Sequence, residues 1–324
     1  MQVSKDNFCY VRLLGMKAYI CEKYGPPEVL KLAEIEKPQP KKNEVLIQVH
    51  ATAVNSGDVR LRALRVSDGA LGYVGELLMR VIIGFRGPRR KVLGVTLSGV
   101  ITEIGSHVDV FKVGDEVFAM TGMKFGGFGE YATLSQDKGV ALKPKNASFE
   151  EAVAIAFGGT TALYFLHKAG ITKSKKVLIY GSTGAVGTSA VQIARSERAE
   201  VIAVSGPDGI ELSRSLGADR VFNYKEQNIS ELDEEFDIIF DAVGKLSKAE
   251  CQDILKDDGS YVTVGGLDVA SESQADMKRL AYMFDAGALK PVIDKTFSFD
   301  EMVEAHRYVD TGHKKGNVVV TVGR

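Results

Sequence analysis

The segment best equipped for chemistry is Tyr180-Gly181-Ser182-Thr183-Gly184-Ala185-Val186-Gly187. It follows the apolar run Val177-Leu178-Ile179-Tyr180 and leads into residues 186–196, where Val186, Ala190 and Ala194 share one helical face. A small-residue turn from strand to helix brings unpaired backbone N–H groups and a partial positive charge to one point, which suits a phosphate. Gly184 would let the backbone approach a pyrophosphate, and Gly187 would let the helix pack closely on the strand. Ser182 stands at the first glycine of a GxGxxG pattern, so the spacing alone also fits an ordinary tight connection. The strand–turn–helix context favours a dinucleotide.

An NAD site places a carboxylate on the adenosine ribose about twenty residues further on. Here the next strand, Val201-Ile202-Ala203-Val204, runs into Ser205-Gly206 with no carboxylate, which leaves room for a 2′-phosphate. Pro207-Asp208-Gly209 brings no base to neutralise it; Arg214, Tyr224 and Lys225 are candidates, each equally readable as a surface residue. The expected cofactor is NADPH, with NADH as the alternative.

The elements that must position this turn divide the chain by texture. Residues 16–145 hold short β-branched runs such as Met16–Ile20, Val45–Val49 and Gly99–Ile104, separated by Gly25-Pro26-Pro27 and Lys112-Val113-Gly114-Asp115. This predicts an antiparallel, barrel-like β domain. From about residue 150, strands alternate with helical segments, with further strands at Phe236–Phe240 and Tyr261–Val264 and helices near 247–256 and 275–286. Strands apolar on both faces predict a parallel sheet covered on two sides. A helix at 299–309, with capping-box spacing at Ser298 and Glu301, and a strand at Asn317–Val320 close the chain. That last segment is expected to return to the first domain.

The chain has 324 residues, 45% of them hydrophobic and 26% charged, and a net charge of -1. The near-balance of charge gives no global field for nucleic acid, and no nucleic-acid partner is expected. Cys9, Cys21 and Cys251 form no CxxC pair and no disulfide framework, which fits a reducing, cytoplasmic setting. No apolar stretch reaches the ~18 residues of a membrane span. Residues 1–15 are expected to be a disordered extension, upstream of the true start.

Taken together, several stretches resemble the medium-chain dehydrogenase/reductase superfamily, specifically its zinc-free quinone oxidoreductase (zeta-crystallin-like) branch. They are Tyr24–Leu30, Ala53–Asp58, Lys112–Val117, Gly126–Ala132, Thr160-Thr161-Ala162, the glycine turn, Leu216–Asp219 and Gly312–Val318, in the family's order. The resemblance implies an α/β protein with a GroES-like β-barrel-type catalytic domain (16–145 with 290–324) and a Rossmann doubly wound parallel-sheet domain (146–289). The active site would lie in the cleft between them. Zinc alcohol dehydrogenases of the superfamily carry a cysteine at or near Ser56 and Gly-His-Glu where this chain has Gly94-Val95-Thr96. They also carry a four-cysteine lobe, which is missing between Phe118 and Tyr131. Those positions offer no thiolate, imidazole or carboxylate, so no zinc is expected. The five histidines and three cysteines read as core or surface residues.

Without a Lewis acid a simple ketone accepts hydride poorly, whereas a conjugated acceptor spreads the developing charge onto an oxygen that hydrogen bonds can stabilise. The implied reaction is hydride transfer to a quinone, enone or enal, a small-molecule substrate. By resemblance, Asn55 is the catalytic candidate, a donor to the acceptor oxygen or the nicotinamide ribose; its plain reading is a turn residue. Thr161 matches a contact to the nicotinamide ribose. Gly181, Ser182, Gly184, Ala185, Val186 and Gly187 match the pyrophosphate turn, and Ser205 and Tyr224 the adenosine end. Gly244, Gly265 and Gly266 lie at carboxyl ends of later strands, where such sheets bind ligands, and Asn317 matches a C-terminal contact. Tyr73 and Tyr131 are the tyrosines considered as proton donors, Tyr131 reading better as structural. The alternatives are a zinc-free alcohol or aldehyde dehydrogenase and a non-enzymatic NADPH-binding scaffold. The family is commonly dimeric, so a homodimer is expected.

Residues 62–92 exceed the connection usual in the family. Leu71, Val74, Leu78, Val81 and Ile82 recur at helical spacing, predicting an amphipathic helix over 70–83. Between Arg60 and Lys91 eight basic residues face two acids, a local charge of +6. This insert reads as a lid over the cleft, as a peripheral membrane contact, or as a packed excursion or dimer contact.

Overall fold

The computed structural model describes residues 15–65, 70–266 and 268–323, with the backbone alone for 70–74. The chain opens with an antiparallel pair, β1 (Gly15–Cys21) on β2 (Leu30–Glu36). Gly15 of the expected extension already pairs with Glu36 in this hairpin; residues 1–14 lie outside the described residues. Then come β3 (Glu44–Val54), α1 (Ser56–Ala63), α2 (Ala70–Ile83), β4 (Thr96–Ile104), β5 (Glu116–Met120), β6 (Tyr131–Ser135) and β7 (Val140–Leu142). The middle of the chain is α3 (Phe149–Lys168), β8 (Lys176–Tyr180), α4 (Ala185–Ser196), β9 (Glu200–Ser205), α5 (Ile210–Ser215), β10 (Arg220–Asn223), β11 (Phe236–Asp241) and β12 (Leu255–Thr263). It closes with α6 (Gln274–Asp285), β13 (Ile293–Ser298), α7 (Met302–Asp310) and β14 (Asn317–Thr321).

The first large sheet runs β13-β14-β3-β4-β5-β7, with β6 also on β3, and is antiparallel except for the β13–β14 pair. Val45, Ile47 and Val49 alternate along β3 and pack with Leu97, Ile101 and Val320 in one core. A register shift between Val49 and Ala51 then turns Ala51 and Ala53 towards Val153 and Ala154 of α3. β14 joins this sheet by pairing with β3, Val318 opposite Val54.

The second sheet is parallel, in the order β10-β9-β8-β11-β12. Val177, Ile179, Val201 and Ala203 face one core, while Leu178, Ile202 and Val204 face another, so helices cover both sides. Chain order reverses between β8 and β11, and a crevice opens at the carboxyl ends of strands flanking such a reversal. The helix expected near 247–256 is instead a 3-10 stretch, Ala249–Ile254. Leu255 is already paired with Phe236, and 256–259 loop out before Ser260 meets Ile238. The 299–309 segment begins as a 3-10 turn, Phe299–Glu301, whose Ser298–Glu301 capping box leads into α7.

Helix α3 joins the two sheets. Ser148 and Glu151 cap it reciprocally, at 3.1 Å to the Ser148 hydroxyl and 2.9 Å to the Glu151 carboxylate. It packs on β3, β4, β5 and β14 on one side and on α4 and α6 on the other. The expected insert helix is α2, but its faces are reversed from those of a packed excursion. Leu78, Val81 and Ile82 are exposed, and Met79 and Ile83 pack inward. The side chains of Leu71, Tyr73 and Val74 lie outside the described residues.

Candidate active site

The glycine turn sits at the carboxyl end of β8. Gly181 has φ of +78°, a conformation that favours glycine, and its N–H donates to the Val204 carbonyl at 2.9 Å. Ser182 is fully buried; its hydroxyl lies 3.2 Å from that same carbonyl and 2.7 Å from the Ser213 hydroxyl. Its hydroxyl therefore ties the turn to β9 and α5. A Cβ on Gly187 would lie 2.1 Å from the Gly181 carbonyl oxygen, so α4 rests directly on the turn. Gly184 is the N-cap of α4, and a Cβ there would meet nothing closer than 3.8 Å. The N–H groups of Ala185, Val186 and Gly187 in the first turn have no intrahelical acceptor.

Helix α3 connects this turn to Asn55. A Cβ on Gly158 would meet the Ala185 carbonyl oxygen at 2.1 Å, so the two helices touch at the glycine turn. One position earlier, the Phe157 ring lies 3.8 Å from where a Cβ on Gly57 would stand. Thr161, buried and one helical turn beyond Phe157, is carried on that side of α3. Asn55, at the N-cap of α1, is buried; its Nδ2 donates to the Ala53 carbonyl at 3.3 Å and to the Thr96 hydroxyl at 3.4 Å. Both bonds are long, and the Asn55 side chain also caps α1 by accepting from the Asp58 N–H.

Asp58 holds Asn55 in place, taking the Asn55 N–H at 2.9 Å on one oxygen and the Val95 N–H at 3.1 Å on the other. Burial pushes this carboxyl up to about 7 against the pull of those donors. Sequence reasoning missed Asp58, although an Asn-x-x-Asp spacing at a helix start was there to be read.

The C-terminal segment straps across the turn. The Gly316 N–H donates to the Thr183 carbonyl at 2.7 Å, and Gly316 forms a bridge with Gly184. Asn317 is buried, and its Nδ2 donates to the Val292 carbonyl at 3.1 Å. Its Oδ1 has no partner among the described residues. Asn317 directly follows Gly316, the residue bridged to the α4 N-cap Gly184, and a buried amide oxygen without a partner is uncommon. Lys314 donates to the Gly316 carbonyl at 2.6 Å, and burial lowers its ammonium to about 8. Lys315 reaches the Asp208 carbonyl at 2.8 Å, in the loop after β9. Lys315 lies in the Gly312–Val318 stretch, but its reach to Asp208 is set by the fold, which brings the segment before β14 against the loop after β9.

That loop is where the adenosine end was expected. The Ser205 hydroxyl is turned to the Gly206 carbonyl at 3.0 Å, and a Cβ on Gly206 would stand 3.3 Å from the Tyr224 hydroxyl. Tyr224 is half exposed, and Arg214 is engaged by Glu211 at 2.8 Å. At the ends of β11 and β12, Gly244 and Gly265 lie back to back: a Cβ on Gly244 would be 2.7 Å from the Gly265 Cα. Gly266 faces open space, its nearest neighbour 3.9 Å from a built Cβ. Buried Asp241 fixes this corner, accepting from the Gly244 N–H at 2.9 Å and the Thr263 hydroxyl at 3.0 Å. It too was missed in the sequence, where it reads only as the last residue of a buried strand.

The metal donors are dispersed. Among the described residues no three of His, Cys, Asp and Glu come together as a metal site. His50 stacks on Phe149, His167 meets Arg279, and buried His306 lies edge-on to Phe128 with burial lowering it to about 3. Burial pushes the Cys21 and Cys251 thiols up to about 11, away from reactivity. Lys37 lies over the Tyr131 ring, a structural setting.

Comparison with known proteins agrees with this architecture. Residues 41–145 match the family described as alcohol dehydrogenase GroES-like domain, and residues 185–287 match zinc-binding dehydrogenase. A 2-methylene-furan-3-one reductase of Solanum lycopersicum is 35% identical over 94% of this chain and 79% of its own length. An NADPH-dependent alkenal/one oxidoreductase of Arabidopsis thaliana is 32% identical over 94% of this chain and 79% of its own. The solved quinone oxidoreductase of Coxiella burnetii superposes with a TM-score of 0.83 at 28% identity, covering 96% of this chain and all of that one. The chain belongs to the medium-chain dehydrogenase/reductase superfamily, in its quinone oxidoreductase branch.

Proposed function

We propose that the chain is an NADPH-dependent oxidoreductase that reduces a quinone or a conjugated alkene, an enone or enal, by hydride transfer without a metal. The observation that carries this reading is the α4 N-terminus at Gly184, where a side chain would have clearance, bridged by Gly316 and followed in the chain by Asn317 with its unpaired Oδ1. The named activities of the tomato, Arabidopsis and Coxiella relatives support the reaction class.

In this reading the Ala185, Val186 and Gly187 amides hold the pyrophosphate, with Gly184 leaving room and Asn317 and Thr161 towards the nicotinamide end. Lys315 and Tyr224 stand by the loop after β9, where they favour a 2′-phosphate. When bound, the reduced nicotinamide supplies the hydride. Asn55 donates to the acceptor oxygen as negative charge gathers there, Asp58 fixes the backbone that presents it, and water delivers the proton. The catalytic domain of this proposal is 16–145 with 290–324 and the nucleotide domain is 146–289. The β14–β3 pairing supports the discontinuous assignment. The test is NADPH oxidation with a quinone, an enone and a simple ketone side by side. Turnover of the first two is expected; turnover confined to the ketone would overturn the mechanism.

A further inference from the structure

Helix α2 and the loop after it take no part in the nucleotide site. Leu77, Leu78, Val81, Ile82 and Phe85 are exposed, Val81 at 57% and Phe85 at 67%. Positions 77 and 81 form one i, i+4 pair and 78 and 82 the next, so these four make one apolar stripe on the last turns of α2, and exposed Phe85 follows just past the helix end at Ile83. The stripe is firmly held. Met79 and Ile83 pack into the core, Tyr24 donates to the Gly84 carbonyl at 2.7 Å, and Arg80 donates to the Phe85 carbonyl at 2.7 Å. Arg89 caps the helix end through the Val81 and Ile82 carbonyls at 3.1 and 3.3 Å. Beside the stripe Arg86, Arg90 and Lys91 are exposed, and Glu76 is the lone acid from 70 to 91. Lys91 pairs with Glu22 at 2.9 Å; Arg86 and Arg90 form no ion pair among the described residues.

We infer that this stripe docks the protein on an anionic lipid bilayer. The apolar side chains enter the boundary of the acyl chains while Arg86 and Arg90 meet headgroup phosphates. Charge decides against a second copy of the chain as the occupant. A symmetric self-contact sets the same patch against itself and would bring two basic clusters together. The chain's net charge of -1 shows that the basic cluster is local, not a general cationic surface. This inference does not rest on the hydride-transfer reading, and vesicle binding is measured without turnover.

The test is flotation of the full chain with phosphatidylcholine vesicles and with vesicles of phosphatidylcholine mixed with phosphatidylglycerol. Binding is expected to the mixed vesicles alone and to be lost at high salt. Each basic side chain removed is worth about five-fold, so Arg86→Glu with Arg90→Glu should weaken binding at least about thirty-fold. Val81→Glu with Ile82→Glu should abolish it. NADPH binding retained by both variants would show that they are folded. No binding to mixed vesicles at low salt overturns the inference, as does binding indifferent to lipid charge. A dimer that Val81→Glu with Ile82→Glu splits, in a protein that never floats, would give the face to a second copy instead.

Discussion

Replacing Gly184 by alanine separates a ligand-binding turn from a merely tight one. Gly184 has φ of −76° and ψ of 174°, which any residue adopts, and a Cβ there has 3.8 Å of clearance from the nearest protein atom. Nothing in the folded chain requires glycine at this position. Alanine loses a little as an N-cap and gains a little from a less flexible unfolded chain, so the two effects nearly cancel. A melting temperature within about 3 °C of the parent follows. In the proposed reading the new methyl group nevertheless occupies the space into which the pyrophosphate comes against the Ala185 and Val186 amides. Losing one or two hydrogen bonds to a charged phosphate costs about 1.5–3 kcal/mol each, or at least ten-fold in affinity. Gly187→Ala is the contrast: its Cβ would lie 2.1 Å from the Gly181 carbonyl oxygen, so stability and binding should fall together. Calorimetric titration with NADPH beside thermal melts reads both. Parent-like affinity in Gly184→Ala would refute the reasoning, and so would a loss of stability as large as that of Gly187→Ala.

Other expectations follow from the same geometry. Asn55→Ala should cut turnover at least ten-fold while leaving NADPH affinity within about two-fold, because it removes a donor that acts on the developing oxyanion; unchanged steady-state turnover removes Asn55 from the mechanism. Lys315→Glu should weaken NADPH about ten-fold or more and NADH by less than about two-fold; equal losses for both nucleotides would mean that Lys315 does not read the 2′-phosphate. Stability against pH tests the buried acid. Asp58, near 7 when folded and about 3.9 when unfolded, keeps a proton that the unfolded chain has shed, so its contribution falls as pH rises from about 4 to about 7. His306, near 3 when folded and about 6.5 when unfolded, acts oppositely, its contribution falling as pH drops below about 6.5. The slopes oppose one another in the parent; Asp58→Asn should leave His306 alone and lose up to about 1.4 kcal/mol per pH unit on acidification. Parallel denaturation curves for parent and variant would contradict this.

The parts of the molecule legible in the sequence are those whose pattern is local. β8, the glycine turn and α4 follow one another without interruption, and periodicity alone finds them. Helix α3 is harder, because Gly158-Gly159-Thr160-Thr161 in its centre are poor helix formers. The two glycines are there because Ala185 and Leu280 come too close for larger side chains, a fact of packing and not of propensity. The inward and outward faces of α2 were likewise hidden, since Leu78 and Met79 are equally apolar and only the anchoring of Ile83 decides which side turns in. Asn55 was found by resemblance, whereas its partner Asp58 and the reach of Lys315 to Asp208 depend on contacts that cross the fold.

The most direct measurement of the central claim uses protein treated with a metal chelator, NADPH carrying deuterium at the transferable C4 position, and an enone. Mass spectrometry and NMR of the product then locate the label. Deuterium on the β-carbon of the saturated ketone, in proportion to NADPH consumed, is the predicted result. Consumption without label transfer, or transfer only after zinc is added back, would contradict it.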